Sequence, residues 1–324
     1  MMTFKVLVPD NLNKAGLDTL GAVDRLEIQA PGKMTRAQTL AAIPQAHALI
    51  VRSDTTVDAE LLAGAANLKV VVRAGVGVDN IDLEACTARS IVVMNTPDAN
   101  TVSTAEHALA LILALARHLA QADRSMRAGQ WERQKFTGIQ LEGKILGIIG
   151  FGRVGRALAV RTRCMGMTEI AYDPFVPEEV ARHLGLSLVS RLSDLLERSD
   201  IISLHAVITD DTREMINAQT IAQMKDGVLI VNAARGALIN NADLAAALKS
   251  GKVAGAAIDV YDVEPPPADN PLLGLENVIY TPHLGASTYE AQEQVGVEAA
   301  NAVINALLKG RYDNVRNRVV LERR

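Results

Sequence analysis

The chain has 324 residues, 49% of them apolar and 22% charged, which suits two domains of ordinary size with large cores and excludes a disordered chain. A formal net charge of −4 argues against nucleic acid or a membrane surface as partner, and two cysteines, Cys86 and Cys164, make no disulfide framework. Aromatic residues reach only 3%, so the cores must be aliphatic; with no signal peptide and no run of spanning length, a cytoplasmic protein is expected.

Short β-branched runs alternate with Ala/Leu-rich stretches, the pattern of parallel sheets with crossover helices. The first hundred residues offer strands at 5–8, 49–51, 70–72 and 91–94, with helices such as 13–20 and 58–65 between them. A long helix is predicted over 102–120, opened by a capping box from Ser103 to Glu106 and apolar on nearly every face, so that it requires cover all round. That cover is expected partly from a second copy of the chain, making a homodimer or a higher homo-oligomer. A second series of six strands follows at 145–149, 169–172, 201–204, 228–232, 255–259 and 278–280, and then a helix over 288–309, opened by a capping box from Ser287 to Glu290 and closed by Gly310. This last helix is surplus to the second sheet and carries the chain back to the first. The predicted fold is α/β with two doubly wound parallel sheets. Residues 1–98 and 288–324 form a discontinuous, flavodoxin-like substrate domain, and residues 99–287 an inserted Rossmann domain.

The insert carries the most informative motif. The apolar run ending at Ile149 is followed by Gly150, Gly152 and Gly155 in Gly-x-Gly-x-x-Gly spacing, then by a helical stretch, then by a strand ending at Asp173, eighteen positions past Gly155. Gly150 permits the tight turn, Gly152 lets backbone approach a pyrophosphate, and Gly155 lets the helix pack on the strand. The helix N-terminus offers unpaired N–H groups to the phosphates. Asp173 suits the adenosine ribose hydroxyls and repels a 2′-phosphate, and Pro174 to Pro177 supply no arginine, so the cofactor should be NAD rather than NADP.

Ligands of such sheets bind beyond the carboxyl ends of the strands, where three residues stand out: Arg235 after 228–231, Glu264 after 255–259 and His283 after 278–280. Arginine's planar fork suits a substrate carboxylate, an imidazole can exchange a proton with a carbonyl or hydroxyl oxygen, and a carboxylate beside it would orient the ring. No metal-ligand pattern is read.

These stretches resemble the D-2-hydroxyacid dehydrogenases, over nearly the whole chain. The likeness runs through residues 73–80 (RAGVGVDN), 93–97, 131–136, the glycine motif, 232–236 (NAARG), 264–266 and 282–288 (PHLGAST). It implies Arg235, Glu264 and His283 as the catalytic set. It also implies nucleotide contacts at Arg153, Val154, Asp173, Ala233, Asp259 and Gly285, and a nicotinamide contact at Val76. The loop of Gly75, Val76 and Gly77 resembles the family's backbone cradle for the substrate carboxylate. Arg52 and Arg73 end apolar strands and suit a phosphate at the substrate's far end, while Arg133 and Lys135 serve either as a neighbouring subunit's contribution or as a solvated loop. The implied reaction is oxidation of 3-phosphoglycerate to 3-phosphohydroxypyruvate. The alternatives are a reductase of glyoxylate or hydroxypyruvate and an NAD-sensing corepressor. The chain departs from the family in reading His205-Ala206-Val207, where a Pro usually stands two residues after that histidine. It also stops at Arg324, whereas long members carry serine-binding regulatory domains, so serine inhibition through such a domain is not expected.

Overall fold

The computed structural model describes residues 3–322. The chain forms two compact units, one of Met1–Asn100 with Ser287–Arg324, the other of Thr101–Ala286.

The first unit alternates β1 (Phe4–Leu7), α1 (Lys14–Gly21), β2 (Leu26–Gln29), α2 (Arg36–Ala42), β3 (Ala48–Val51), α3 (Ala59–Ala63), β4 (Val70–Arg73), α4 (Leu83–Ala88) and β5 (Val92–Asn95). The strands are all parallel, in the order β2-β1-β3-β4-β5 of a flavodoxin-like sheet. Val6, Ile50, Val70 and Val72 face one core and Leu7, Leu49, Val51 and Val71 the other, which is why these strands read as unbroken apolar runs. The missed strand β2 is an edge strand whose Leu-Glu-Ile-Gln alternates with solvent, a weaker signal.

The second unit contains α5 (Thr101–Ala116), α6 (Leu119–Arg127), β6 (Ile145–Ile149), α7 (Arg153–Arg163), β7 (Thr168–Tyr172), α8 (Glu178–His183), β8 (Ser187–Leu188), α9 (Leu192–Arg198), β9 (Ile201–Leu204), α10 (Ala218–Ala222), β10 (Val228–Asn232), α11 (Asn241–Ser250), β11 (Val253–Ile258) and β12 (Val278–Tyr280). Its sheet has seven parallel strands rather than six, ordered β12-β11-β10-β9-β6-β7-β8, because the two-residue edge strand β8 adds to the Rossmann set.

The helix expected over 102–120 is two helices. It breaks at His118, whose φ of 52° lies in the left-handed region. Nor does Ser103 cap it: the helix already runs from Thr101, and the Ser103 hydroxyl donates to the Gly285 carbonyl at 2.8 Å. Leu111, Ile112 and Leu115 are buried on the chain's own sheet, and Leu109 and Leu113 are half-buried.

The chain then returns to the first unit through α12 (Tyr289–Lys309), which ends at Gly310 with φ 65°, and α13 (Val319–Glu322). The N-cap of α12 is Thr288, accepting from the Ala291 N–H at 3.2 Å, one position later than Ser287. α12 packs on α1 where Gly16 meets Gly296; a Cβ on Gly16 would lie 2.6 Å from the Gly296 carbonyl oxygen. Beyond α12, Val315 pairs antiparallel with Met94, and Asn317 Oδ1 accepts the Val93 N–H, tying the end of the described chain to β5. No helix among the described residues is long and apolar enough to cross a membrane.

Candidate active site

In the second unit the expected residues all follow strand C-termini. Gly150, after β6, has φ 92°, and a Cβ there would lie 2.5 Å from the backbone of His205 and Ala206. Gly155 on α7 packs against the Gly150 carbonyl, where no side chain fits. Gly152 faces open space and is the N-cap of the 11-residue α7, which receives no side-chain cap, so the first-turn amides stay available to an anion. Arg153 is exposed and Val154 half-buried in that turn. Asp173 sits after β7 and accepts the Phe151 N–H at 2.8 Å and the Phe175 N–H at 2.9 Å, one on each oxygen, leaving each oxygen a lone pair for a hydroxyl. These features fit a dinucleotide.

Arg235 is placed by Asn232, which is 1% exposed at the end of β10. The Asn232 side chain donates to the Arg235 carbonyl at 2.8 Å and accepts the Ala234 N–H at 3.1 Å, folding 233–235 into a fixed turn with Ala233 at its buried start. Gly236 must be glycine, because a Cβ would overlap the Tyr261 backbone. Nδ1 of His283 lies 2.7 Å from Oε2 of Glu264, whose Oε1 accepts the Tyr261 N–H at 3.1 Å. Both side chains keep solvent access, 47% for His283 and 37% for Glu264. Burial pushes the Glu264 carboxyl up, but the hydrogen bonds from His283 and Tyr261 outweigh it and leave the group below its usual range, hence ionised at neutral pH. A cavity of about 390 Å³ opens beside the pair, lined by Tyr261, Pro266, Tyr280 and Pro282.

His283 has φ 54°, and its N–H donates to the Asp259 carbonyl at 2.8 Å. The Asp259 carboxylate, expected as a nucleotide contact, is fully buried. It accepts from the Thr281 hydroxyl at 2.6 Å, the Leu284 N–H at 2.7 Å and the Gly285 N–H at 2.9 Å, and lies 3.1 Å from Nε2 of His107 on α5. Gly285, also expected at the nucleotide, is buried, with its carbonyl accepting from Ser103 and Thr104. Sequence reasoning missed His107 and Asn232. The signal at His107 was a polar residue inside a largely apolar helix, and at Asn232 its place at the head of the NAARG stretch.

In the first unit Arg52 follows β3 and Arg73 ends β4. The Arg73 guanidinium turns under its own loop, donating to the Ala74 carbonyl at 2.5 Å, and a Cβ on Gly75 (φ 145°) would strike it. The loop is held by buried Asn95, which donates to the Val76 carbonyl at 2.5 Å, and by the Thr96 N–H on the Gly75 carbonyl at 3.1 Å. Among the described residues no acceptor is paired with the Val76 or Gly77 amide, which leaves two N–H donors side by side. In the second unit Arg133 and Lys135 lie in an exposed 3₁₀ turn, with Lys135 3.5 Å from Glu132.

Residues 109–285 match the family model for the NAD-binding domain of D-isomer specific 2-hydroxyacid dehydrogenases, more than half of the chain. The chain belongs to this family. A D-3-phosphoglycerate dehydrogenase of Archaeoglobus fulgidus is 50% identical over 301 residues, 93% of this chain and 57% of its own length. One from Mycobacterium leprae is 48% identical over 302 residues, 93% and 56%. The chain thus spans little more than half the length of the curated relatives it matches. Among solved structures, a Thermus thermophilus protein has a TM-score of 0.88 at 34% identity, covering 97% of this chain and all of its own. A glyoxylate reductase from Paecilomyes thermophila gives 0.87 at 32%, covering 98% and 99%. The two parallel-sheet units are therefore those of the family, and the insert is its NAD-binding domain.

Proposed function

We propose that this chain catalyses the reversible, NAD-dependent oxidation of D-3-phosphoglycerate to 3-phosphohydroxypyruvate. The observation that carries the reading is the 2.7 Å contact of His283 Nδ1 with Glu264, which leaves Nε2 as the ring atom able to exchange a proton with the substrate. Arg235 takes the carboxylate through its fork and so orients C2. As C2 gives up hydride, the hydroxyl proton passes to Nε2 of His283 and the C–O bond becomes a carbonyl; the reverse direction returns the proton to the oxygen. NAD, when bound, supplies the hydride acceptor. Glu264, ionised, stabilises the imidazolium that the oxidation creates.

Recognition by the first unit is assigned to the Val76 and Gly77 amides for the carboxylate, with Arg73 propping their loop, and to Arg52 for the phosphate. Support for a phosphorylated substrate comes from Arg52 and from relatives named for that activity. A reductase of glyoxylate or hydroxypyruvate is the second reading, favoured by the likeness to a glyoxylate reductase. NADH consumption with phosphohydroxypyruvate, hydroxypyruvate and glyoxylate side by side tests the two. A preference for phosphohydroxypyruvate of about tenfold or more in kcat/KM is expected, and its absence would favour the reductase.

The working assembly is a homodimer. Val102, Leu119, Met126 and Trp131 are 54%, 56%, 54% and 78% exposed, an apolar set on α5, α6 and the segment after them that a second copy would cover. In that assembly Arg133 and Lys135 would serve the neighbour's substrate.

A further inference from the structure

Two side chains of the first unit, Asp10 and Asn80, take no part in the chemistry above, yet both are turned onto Arg52. The Arg52 N–H donates to Oδ2 of Asp10 at 2.5 Å, and the Arg52 carbonyl accepts from Nδ2 of Asn80 at 2.7 Å. The same two side chains repeat the arrangement on Thr55. Its hydroxyl donates to Oδ1 of Asp10 at 2.6 Å, and its carbonyl accepts from Nδ2 of Asn80 at 2.6 Å. Asn80 therefore divides both amide hydrogens between the two carbonyls that bound residues 52–55, and those acceptors fix which end of the amide is nitrogen.

Asp10 is 3% exposed and Thr55 8%. A carboxyl group this deep, hydrogen-bonded to one amide and one hydroxyl and with the Lys33 charge near it, is an expensive way to close a turn that an apolar residue could pack against. What the arrangement adds is geometry. Asn80 ends the loop 74–80 that carries the Val76 and Gly77 amides, and Asn95 holds the other side of that loop at the Val76 carbonyl. Rotation of the 52–55 turn against the loop would break the hydrogen bonds of Asn80, and movement against the segment after β1 those of Asp10.

We infer that Asp10 and Asn80 are positioning residues for substrate selection: Asp10 fixes the Arg52 turn to the segment after β1 and Asn80 ties it to the glycine loop, so that the cation for a phosphate and the amides for a carboxylate stand at one spacing. This rests on the assignment of Arg52 and the loop under the proposed function. It names the substrate class as a short 2-oxo or 2-hydroxy acid with a phosphate at the end opposite its carboxylate.

The readout is the ratio of kcat/KM for phosphohydroxypyruvate to kcat/KM for hydroxypyruvate, two acids that differ by the phosphate. Asn80→Ala should lower this ratio about tenfold or more, and the isosteric Asp10→Asn should lower it about threefold or more. In an Arg52→Ala background either change should add less than about twofold, because the cation they place is gone. Equal losses on both acids, or a full further drop in the Arg52→Ala background, would overturn the inference. If Asn80→Ala fails to fold, Asp10→Asn decides alone. If the parent enzyme itself has no preference for the phosphorylated acid, the substrate reading fails and the inference falls with it. A parent preference that the variants keep overturns the inference only.

Discussion

Nε2 of His107, on α5, lies 3.1 Å from Oδ1 of Asp259, a carboxylate without solvent exposure at the end of β11. Burial pushes the Asp259 carboxyl up, but hydrogen bonds from His107, Thr281 and the Leu284 amide outweigh it, and its pKa lies below the ordinary 3.8. A depressed carboxyl pKa contributes stability that is present above the unfolded value and lost as pH falls through the folded one. Asp259→Asn should therefore be less stable at neutral pH by about 2 kcal/mol, with the gap closing below the ordinary carboxyl pKa. Chemical denaturation across that range checks this, and equal stability at neutral pH would count against the network.

The proton-transfer assignment is tested at His283. His283→Ala should lower kcat about a hundredfold or more while NADH affinity is nearly kept, since the group acts in the transition state. Glu264→Gln should cost less, because a neutral amide can still accept from Nδ1 of the ring but no longer offers a charge to the imidazolium. Arg235→Lys should act mainly on substrate recognition, a point charge replacing a bidentate fork. Parent-like kinetics in His283→Ala would remove it from the mechanism.

Cofactor choice should follow Asp173. Asp173→Ala combined with Pro174→Arg removes a repelling carboxylate and adds a phosphate partner, so the preference for NAD over NADP should shrink. Undiminished discrimination in the kcat/KM ratio would refute the ribose assignment.

His205, after β9, packs with Nε2 2.9 Å from the Ser203 hydroxyl, and burial pushes its pKa down from 6.5 to about 4. The unfolded chain therefore takes up this proton first, and stability is lost as pH falls from 6.5 toward 4. The loss is at most about 3 kcal/mol, and less because the residue as a whole is only half-buried. His205→Gln should flatten that part of the stability–pH curve; an unchanged slope would mean the ring is better solvated than its packing indicates.

Sedimentation tests the assembly. Twice the chain mass is expected at micromolar concentration, and Trp131→Glu should shift the population toward monomer. A parent protein that stays monomeric would rule out the dimer.

The sequence by itself determined the class of sheet, the glycine turn and the three strand-end residues. Parallel strands buried on both faces must be continuous apolar runs, and Gly150 and Gly155 stand where a Cβ would overlap backbone or neighbouring atoms. Such requirements act over a few residues and leave a local trace. Edge strands β2 and β8 left little trace, since one of their sides is solvent and alternation over two to four residues resembles a loop. The break at His118 and the cap at Thr288 rather than Ser287 were decided by packing, which overrode equally good local signals. Only the tertiary structure decided what Asp259, His107, Asp10 and Asn80 touch. Their partners lie far away in the chain, Asp259 and His107 being separated by more than a hundred positions, and a polar residue's hydrogen bonds depend on which donors the fold brings within about 3 Å of it.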